Sequence, residues 1–336
     1  MFLIAEAGVN HEGSIDRAID QVRSVAAAGW QAIKFQTYKS SNIAAKNSPS
    51  YWDLEEEPTT NQRDLFLKYE NYDIEWYKPV IEECKRLNIE FMTSVFSPEL
   101  VDIFDPFVTR YKISSSDITN YLLLSKVAKK KKPIIISTGA STLEEISNAI
   151  SFLNSNGIEN RFITILHCVL NYPTSKENAN IRRILKLKDS FSCDIGYSCH
   201  VKGEDGIKAC EIAYLFGAKT IEKHITLTPF KSGNDHYHAL DFQMMKKLSL
   251  SLLNAECIAG NGEDNLSSQA SARINARRGL YFSKSLCKGH IISADDIKAL
   301  RPTHEGLSAN MAYSILGKSL VNDAKSEDPI NSSHFS

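Results

Sequence analysis

Eight short apolar runs recur along the first three-quarters of the chain: Phe2–Ala7, Ala32–Thr37, Ile89–Ser94, Arg110–Ile113, Pro133–Ser137, Phe162–His167, Cys193–Ser198 and Thr220–Ile225. Near-continuous apolarity over so few residues predicts strands buried on both faces, as in a parallel sheet. Longer stretches with helical periodicity separate most of them. The first runs from Ser14, a candidate N-cap, to Ala28, where Gly29 stops it. Others fall at Ile74–Leu87, Asn120–Lys130, Thr142–Asn154 (opening with the capping-box pattern TLEE), Glu204–Phe216 and Asp241–Ile258. Strand–helix alternation repeated eight times predicts a (β/α)8 TIM barrel rather than an open doubly wound sheet. The segment Tyr38–Tyr72 holds two prolines, an acidic run and several aromatics. It reads as a long loop, and loops of that length in a compact domain are usually functional.

Nearly every apolar run stops at residues able to bind charge or metal. The ends read Glu6 (with Asn10 and His11 beyond it), Lys34 and Gln36, Thr93 and Ser94, Lys112, Ser137 and Thr138, His167, Ser198 and His200, and Glu222 with His224. Eight polar ends in phase predict one pocket at the carboxyl-terminal face of the barrel, where such barrels keep their chemistry. The alternation breaks near residue 260. Residues 1–260 form the expected barrel, 261–274 a polar linker, and 275–336 a small β-rich domain, with a tail from Lys325 expected to fray.

Composition narrows the classes. Lysine and arginine number 39 against 40 acidic residues, a net charge of −1, so no bulk electrostatic case exists for nucleic acid or an anionic membrane. The run Lys129–Lys132 reads as a solvated helix end ahead of Pro133. Seven cysteines with no CxxC spacing read as reduced thiols. The chain opens directly into a strand, and no apolar stretch approaches the roughly 20 residues needed to span a bilayer. A soluble, cytoplasmic protein is the expectation.

The candidate chemistry has two parts. His200 and His224, on neighbouring strand ends, make half a divalent-metal site, to which Glu6, Glu222 or Asp235 could add oxygen ligands. The triplet HYH at 236–238 is weak evidence by itself. Lys34, Lys112, Ser94, Ser115, Ser137 and Thr138 could surround a phosphorylated, carboxylated anion. Alternatively the two lysines serve only internal salt bridges to Glu6 or Glu222, because an isolated buried ammonium is costly. Strand-end lysines also suit a class I aldolase forming a Schiff base on Lys34, Lys112 or Lys223. A non-catalytic carbohydrate-binding protein is a third reading.

Seven ordered segments resemble the sialic acid synthase family, which includes the pseudaminic and legionaminic acid synthases. They are AEAGVNHEGS (5–14), IKFQTY (33–38), YKISSSD (111–117), IISTGAS (135–141), LHCVLNYPT (166–174), IGYSCH (195–200) and IEKHITL (221–227). The segments KGHIISADDIKALRP and LGKSL resemble that family's antifreeze-like, or SAF, domain. The resemblance implies condensation of phosphoenolpyruvate with an N-acylated mannosamine-type sugar, using manganese, magnesium or cobalt. It implies Lys112, Ser94, Ser115, Asp117, Ser137 and Ser198 for phosphoenolpyruvate and nearby substrate groups, and His200 and His224 for the metal. Lys34, Gln36, Tyr172 and Asp235 match positions at the sugar or reacting centre, and Glu6 a carboxylate beside the metal. Arg301 matches an arginine lent to the partner subunit, which implies a domain-swapped homodimer. Asp117, Leu170, Cys199 and the segment SGND (232–235) depart from the usual pattern. Leu170 and Cys199 imply a more apolar or differently substituted sugar, such as a 2,4-diacetamido-trideoxyhexose.

Overall fold

A computed structural model describes all residues except Phe230, Ser232, Asn234 and Ser336, so half of the SGND segment lies outside the described residues. The chain divides into two compact units, Met1–Ala259 and Gly260–Ser336. In the first, eight parallel strands close into a barrel in sequence order: β1 (Phe2–Gly8), β2 (Ala32–Thr37), β3 (Glu90–Val95), β4 (Tyr111–Ile113), β5 (Ile134–Ser137), β6 (Ile163–Cys168), β7 (Asp194–Cys199) and β8 (Thr220–His224), with β8 pairing back on β1.

The period of two along each strand sorts the side chains. One set faces the surrounding helices and builds the main core, including Ala5, Ile33, Phe35, Ile113, Ile136 and Tyr197. The other set fills the barrel in layers. Ile4, Ala32, Met92, Ile135 and Leu166 form an apolar floor. Two residues further along the same strands stand Glu6, Lys34, Ser94, Ser137 and Cys168, so the interior turns polar within one step. Register carries this around the barrel: Glu6 pairs with Lys34 and with His224, Ser94 with Lys112, and Ser198 with Glu222.

The expected helices form with their caps: Ser14 caps Ile15–Ala27, and Thr142 and Glu145 complete a capping box on Leu143–Ser155. Two further helices, Pro98–Phe104 and Arg183–Ser190, complete alternation where the periodicity was too short to read. The segment 38–72 is not a bare loop: it carries helices Ser40–Ile43 and Gln62–Lys68 and is pinned by the Trp52 indole, which donates to the carbonyls of Glu57 and Thr59. The Lys129–Lys132 run follows the helix ending at Ala128, and Lys130 and Lys132 pair with Asp102 and Asp105 at the surface. No described helix is long and apolar enough to cross a membrane.

The second unit has its own small core around Leu280, Phe282, Ile292, Ile315 and Ile330. Antiparallel β9 (Gly279–Phe282) pairs directly with β10 (Ile297–Leu300), and isolated bridges such as Ile291 to Ser319 add to the pairing elsewhere in the unit. The end of the polar linker is helical, at Ala270–Asn275. One expectation fails here. The tail is not frayed, because Ile330 is buried and its amide donates to the Leu280 carbonyl. Glu327 adopts φ 69° at the turn that allows this pairing.

Candidate active site

The polar layer opens into a cavity of about 360 Å3 at the carboxyl ends of the strands. It is lined by twelve of the fourteen residues expected from sequence: Glu6, Lys34, Gln36, Ser94, Lys112, Ser115, Asp117, Ser137, Tyr172, Ser198, His200 and His224. Asp235 lines an adjoining cavity of about 120 Å3 that shares Gln36, Tyr172 and His224. Arg301 lies in the second unit, just after β10, on a cis peptide bond to Pro302. Several strand-end residues face elsewhere. His167 hydrogen-bonds the Ala179 carbonyl at 2.8 Å and stacks on Tyr197. His11 packs on Trp76, and the Asn10 amide donates to the Ile225 carbonyl. The Lys223 ammonium donates to the Val201 carbonyl, and its strand neighbours Glu222 and His224 are the ones that reach the cavity.

Four buried charges form the floor of the site. Lys34 pairs with Glu6 and lies 3.8 Å from Glu222, and Lys112 lies 3.5 Å from the other oxygen of Glu222. The Lys34 ammonium donates to Ser94 Oγ at 3.2 Å, Gln36 to Glu6 at 3.0 Å, and Ser198 Oγ to Glu222 at 3.0 Å. The salt bridges considered from sequence therefore exist, and they sit inside the cavity that also presents the hydroxyls. Burial disfavours both ammonium ions, yet their outcomes differ. Lys34 faces two carboxylates, which outweigh burial and hold its pKa above the ordinary lysine value. For Lys112 burial dominates; Glu222 offsets it only in part, Lys34 repels, and the pKa falls below that value. Burial also works against the Glu222 carboxylate, but Lys112 and Lys34 keep its pKa low.

Two glycines keep this region open. Gly8 takes φ 54°, and a Cβ there would sit 3.1 Å from Asp235 Oδ2 and 3.3 Å from Gln36 Nε2. At Gly139 a Cβ would meet Ser115 Oγ at 2.9 Å, the atom that accepts the Gly139 amide. Asp117 is a positioning group. It accepts from Ser114 Oγ at 2.7 Å and Asn120 Nδ2 at 3.0 Å, fixing the serine turn beside Ser115.

The opposite wall is made of imidazoles. The ring centroids of His200 and His224 are 5.4 Å apart, and Tyr172 packs 4.2 Å from His200. The Nδ1–H of His200 donates to the Val169 carbonyl at 2.8 Å, an orienting bond of the kind that fixes a ligand's tautomer. Burial, with help from His224, lowers the His200 pKa to about 3, so the ring is neutral. His224 Nδ1 lies 3.3 Å from Asp235 Oδ2. Burial alone would raise the Asp235 pKa, but His224 foremost, then His238 and His200, hold it well below the usual carboxylate range. His238, which sequence left as weak evidence, is buried with its ring 4.7 Å from that of His224. Only its place two residues past a histidine in a short segment gave any signal. The donor set fits a cation: His224 Nδ1 makes no hydrogen bond and faces Asp235 Oδ2, and both ring nitrogens of His238 are buried without a hydrogen-bond partner.

The comparisons agree in direction. Residues 21–264 match the NeuB family. The chain is 34% identical to the N,N'-diacetyllegionaminic acid synthase of Campylobacter jejuni, over 98% of each chain. It is 31% identical to a pseudaminic acid synthase of the same species, over 100% of this chain and 96% of the other. Among solved structures it resembles a sialic acid synthetase from Leptospira borgpetersenii crystallised with citrate (TM-score 0.71, 29% identity, 80% of this chain and 89% of the other).

Proposed function

The chain belongs to the NeuB family, and we propose that it condenses phosphoenolpyruvate with an N-acylated amino sugar to give a nonulosonic acid and phosphate. One observation carries this reading. A single barrel mouth sets two buried lysines and a row of serine hydroxyls, suited to a polyanion, against a wall of buried imidazoles and Asp235.

Lys112, Ser94, Ser115 and Ser137 face the phosphate and carboxylate of phosphoenolpyruvate, where charge-assisted hydrogen bonds are strongest. Ser137 Oγ has no partner of its own. Carbon 3 of the enol attacks the aldehyde carbon of the open-chain sugar. Positive character then develops at carbon 2, beside Glu6. That carboxylate also holds a proton-bearing Lys34 and is placed to orient water. Water adds at carbon 2; one of its protons passes by way of a carboxylate to the new alkoxide, and the other leaves with phosphate as carbon–oxygen cleavage turns the tetrahedral intermediate into the ketone. A divalent ion (manganese, magnesium or cobalt), held by His200 and His224, would supply Lewis-acid polarisation of the aldehyde oxygen. Gln36, Tyr172 and Asp235 line the route by which the sugar enters.

The adjoining cavity supports a sugar with apolar substituents. Tyr38, Trp52, Phe66, Tyr69, Tyr172 and Tyr237 enclose it, and Leu170 lines the main cavity. A 2,4-diacetamido-trideoxyhexose suits these walls better than a fully hydroxylated sugar. The unit Gly260–Ser336 is the SAF domain of this reading, with Arg301 gripping the acyl group in the partner subunit's site. The motif KGHIISADDIKALRP and the paired β9 and β10 support it.

The test is phosphate release. Purified protein, phosphoenolpyruvate and a panel of 2-acetamido and 2,4-diacetamido sugars should release phosphate only when a sugar is present, with oxygen-18 from the bridging position leaving in the phosphate. Borohydride inactivation with substrate, or sugar binding without phosphate release, would replace this reading with the aldolase or the binding protein. Mixing Arg301→Ala with Lys112→Met protein should restore activity if the arginine acts across subunits.

A further inference from the structure

The histidine pair is not where ligand atoms crowd most closely. Among the described residues, one atom each from His224, Asp235 and His238 lie within 4.8 Å of one another, a grouping that His200 does not join. His238 is completely buried, and both of its ring nitrogens lack a hydrogen-bond partner. A buried imidazole with neither nitrogen satisfied is costly unless something else completes it.

The backbone shows why the ring is there. Ahead of the segment that pairs beside the end of β8 stands a 3-10 turn, His236–His238. Leu240 then pairs beside Ile225: its amide donates to the His224 carbonyl at 2.8 Å, and the Thr226 amide donates to its carbonyl at 2.9 Å. Lys223 reaches the His238 carbonyl at 3.4 Å, and the Tyr237 hydroxyl donates to the Tyr172 carbonyl at 3.1 Å. These clips fix the returning strand against the end of β8. They deliver the His238 ring 4.7 Å from His224, 6.0 Å from His200 and 5.5 Å from Tyr172.

We propose that His238 is a protein ligand to the divalent ion, joining His224 and Asp235 and leaving His200 as the outer member of a histidine-rich shell. The inference rests on the proposed metal dependence and deepens it. Two imidazoles and one carboxylate, with a third imidazole beyond them, favour a first-row transition dication over magnesium, which prefers an oxygen shell and retains water. The bland alternative is that His238 only fills space between Tyr172 and Tyr237.

Cobalt(II) binding to metal-stripped full-length protein separates the two. The wild type should bind cobalt with ligand-field absorption in the visible, undisplaced by excess magnesium. His238→Ala, and the size-preserving His238→Gln, should each weaken binding by at least about tenfold and alter the visible bands. His238→Cys should gain a thiolate-to-cobalt charge-transfer band in the near ultraviolet, which arises only from a direct bond. Cobalt affinity and spectrum unchanged in Ala and Gln variants, with no charge-transfer band from the Cys variant, would overturn the proposal. Sugar-dependent phosphate release is read separately. If it persists while the spectra do not respond, this inference falls and the condensation stands. If the wild type binds no cobalt yet releases phosphate, the metal reading falls as well.

Discussion

The two walls of the cavity solve burial in opposite ways. On one side Lys34, Lys112, Glu6 and Glu222 are charged, and each finds a counter-ion inside the protein. On the other, His224 and His238 are held with orphaned nitrogens, and His200 is satisfied on one side only. The first wall is complete without a ligand; its charges are neutral in sum and hold one another in place. The second leaves imidazole nitrogens without a hydrogen bond. A neutral quartet has no surplus charge for a polyanion, so binding one there requires a cation from elsewhere or a shift of protons. The adjacent unsatisfied imidazoles offer the first route, and the lowered pKa of Lys112 the second.

The sharpest way to break the contrast is to empty one wall and leave the other. Removing divalent metal by chelation should abolish turnover and restore it on adding the ion back, while thermal unfolding of the apo protein stays cooperative because the ionic wall stands by itself. Activity of stripped protein equal to that of the loaded protein would collapse the distinction. Next in size, Lys112→Met should lower kcat/KM for phosphoenolpyruvate by about 10²–10³ and leave cobalt binding intact, which steady-state kinetics and titration can check together. Glu222→Gln acts on stability instead. It leaves two buried ammonium ions sharing Glu6, a loss of about 3–5 kcal/mol measurable by urea unfolding.

The ionic wall was legible in the sequence and the histidine wall only in part, for a physical reason. Strands repeat every two residues, so once Glu6, Lys34, Ser94, Lys112 and Ser137 were placed at the ends of apolar runs, barrel closure brought them together. Even there the reading overreached: His167 ends its run but points to the opposite face, as parity requires with Leu166 and Cys168 pointing inward. His238 and Asp235 sit in a return loop with no period to read, and their position depends on clips such as Leu240 to His224 that no local pattern announces. The same holds for the helices inside 38–72 and for the packed tail. Both are set by tertiary contacts rather than by propensity.

The smallest expected effects concern protons and sugar choice. Lys112 titrates below an ordinary lysine in the folded protein, and phosphoenolpyruvate bound against it as proposed would favour its charged form. Between the lowered pKa and about 10.4, the unfolded value, the unfolded chain binds more protons at this position, so the local contribution to stability rises with pH. Lys34 runs the other way: its pKa is raised, and the stability it adds is full below the unfolded value and lost as pH climbs through the folded one. Phosphoenolpyruvate should therefore bind with proton uptake once pH exceeds the lowered Lys112 value, and its affinity should fall by up to about tenfold per pH unit. Calorimetry in buffers of different ionisation enthalpy measures that uptake, and Lys112→Arg, always charged, should erase it. Uptake that survives in Lys112→Arg would move the proton to another group on the wall.

Leu170→Asn tests the sugar at the point where both readings of the pocket meet. Leu170 lines the main cavity beside Tyr172 and Cys168 and offers no hydrogen bond. An amide there adds a partner for a sugar hydroxyl and leaves a buried polar group unsatisfied when an apolar substituent occupies the same space. The ratio of kcat/KM for a 2-acetamido hexose over a 2,4-diacetamido-trideoxyhexose should rise by about 10-fold, within the roughly 1–3 kcal/mol that one pocket contact discriminates. The KM for phosphoenolpyruvate should not move, because its proposed contacts lie on Lys112 and the serines of the ionic wall. A change confined to phosphoenolpyruvate would place Leu170 on the wrong side of the cavity and transfer sugar choice to the aromatic chamber under 38–72, where Phe66→Ala would then shift the same ratio.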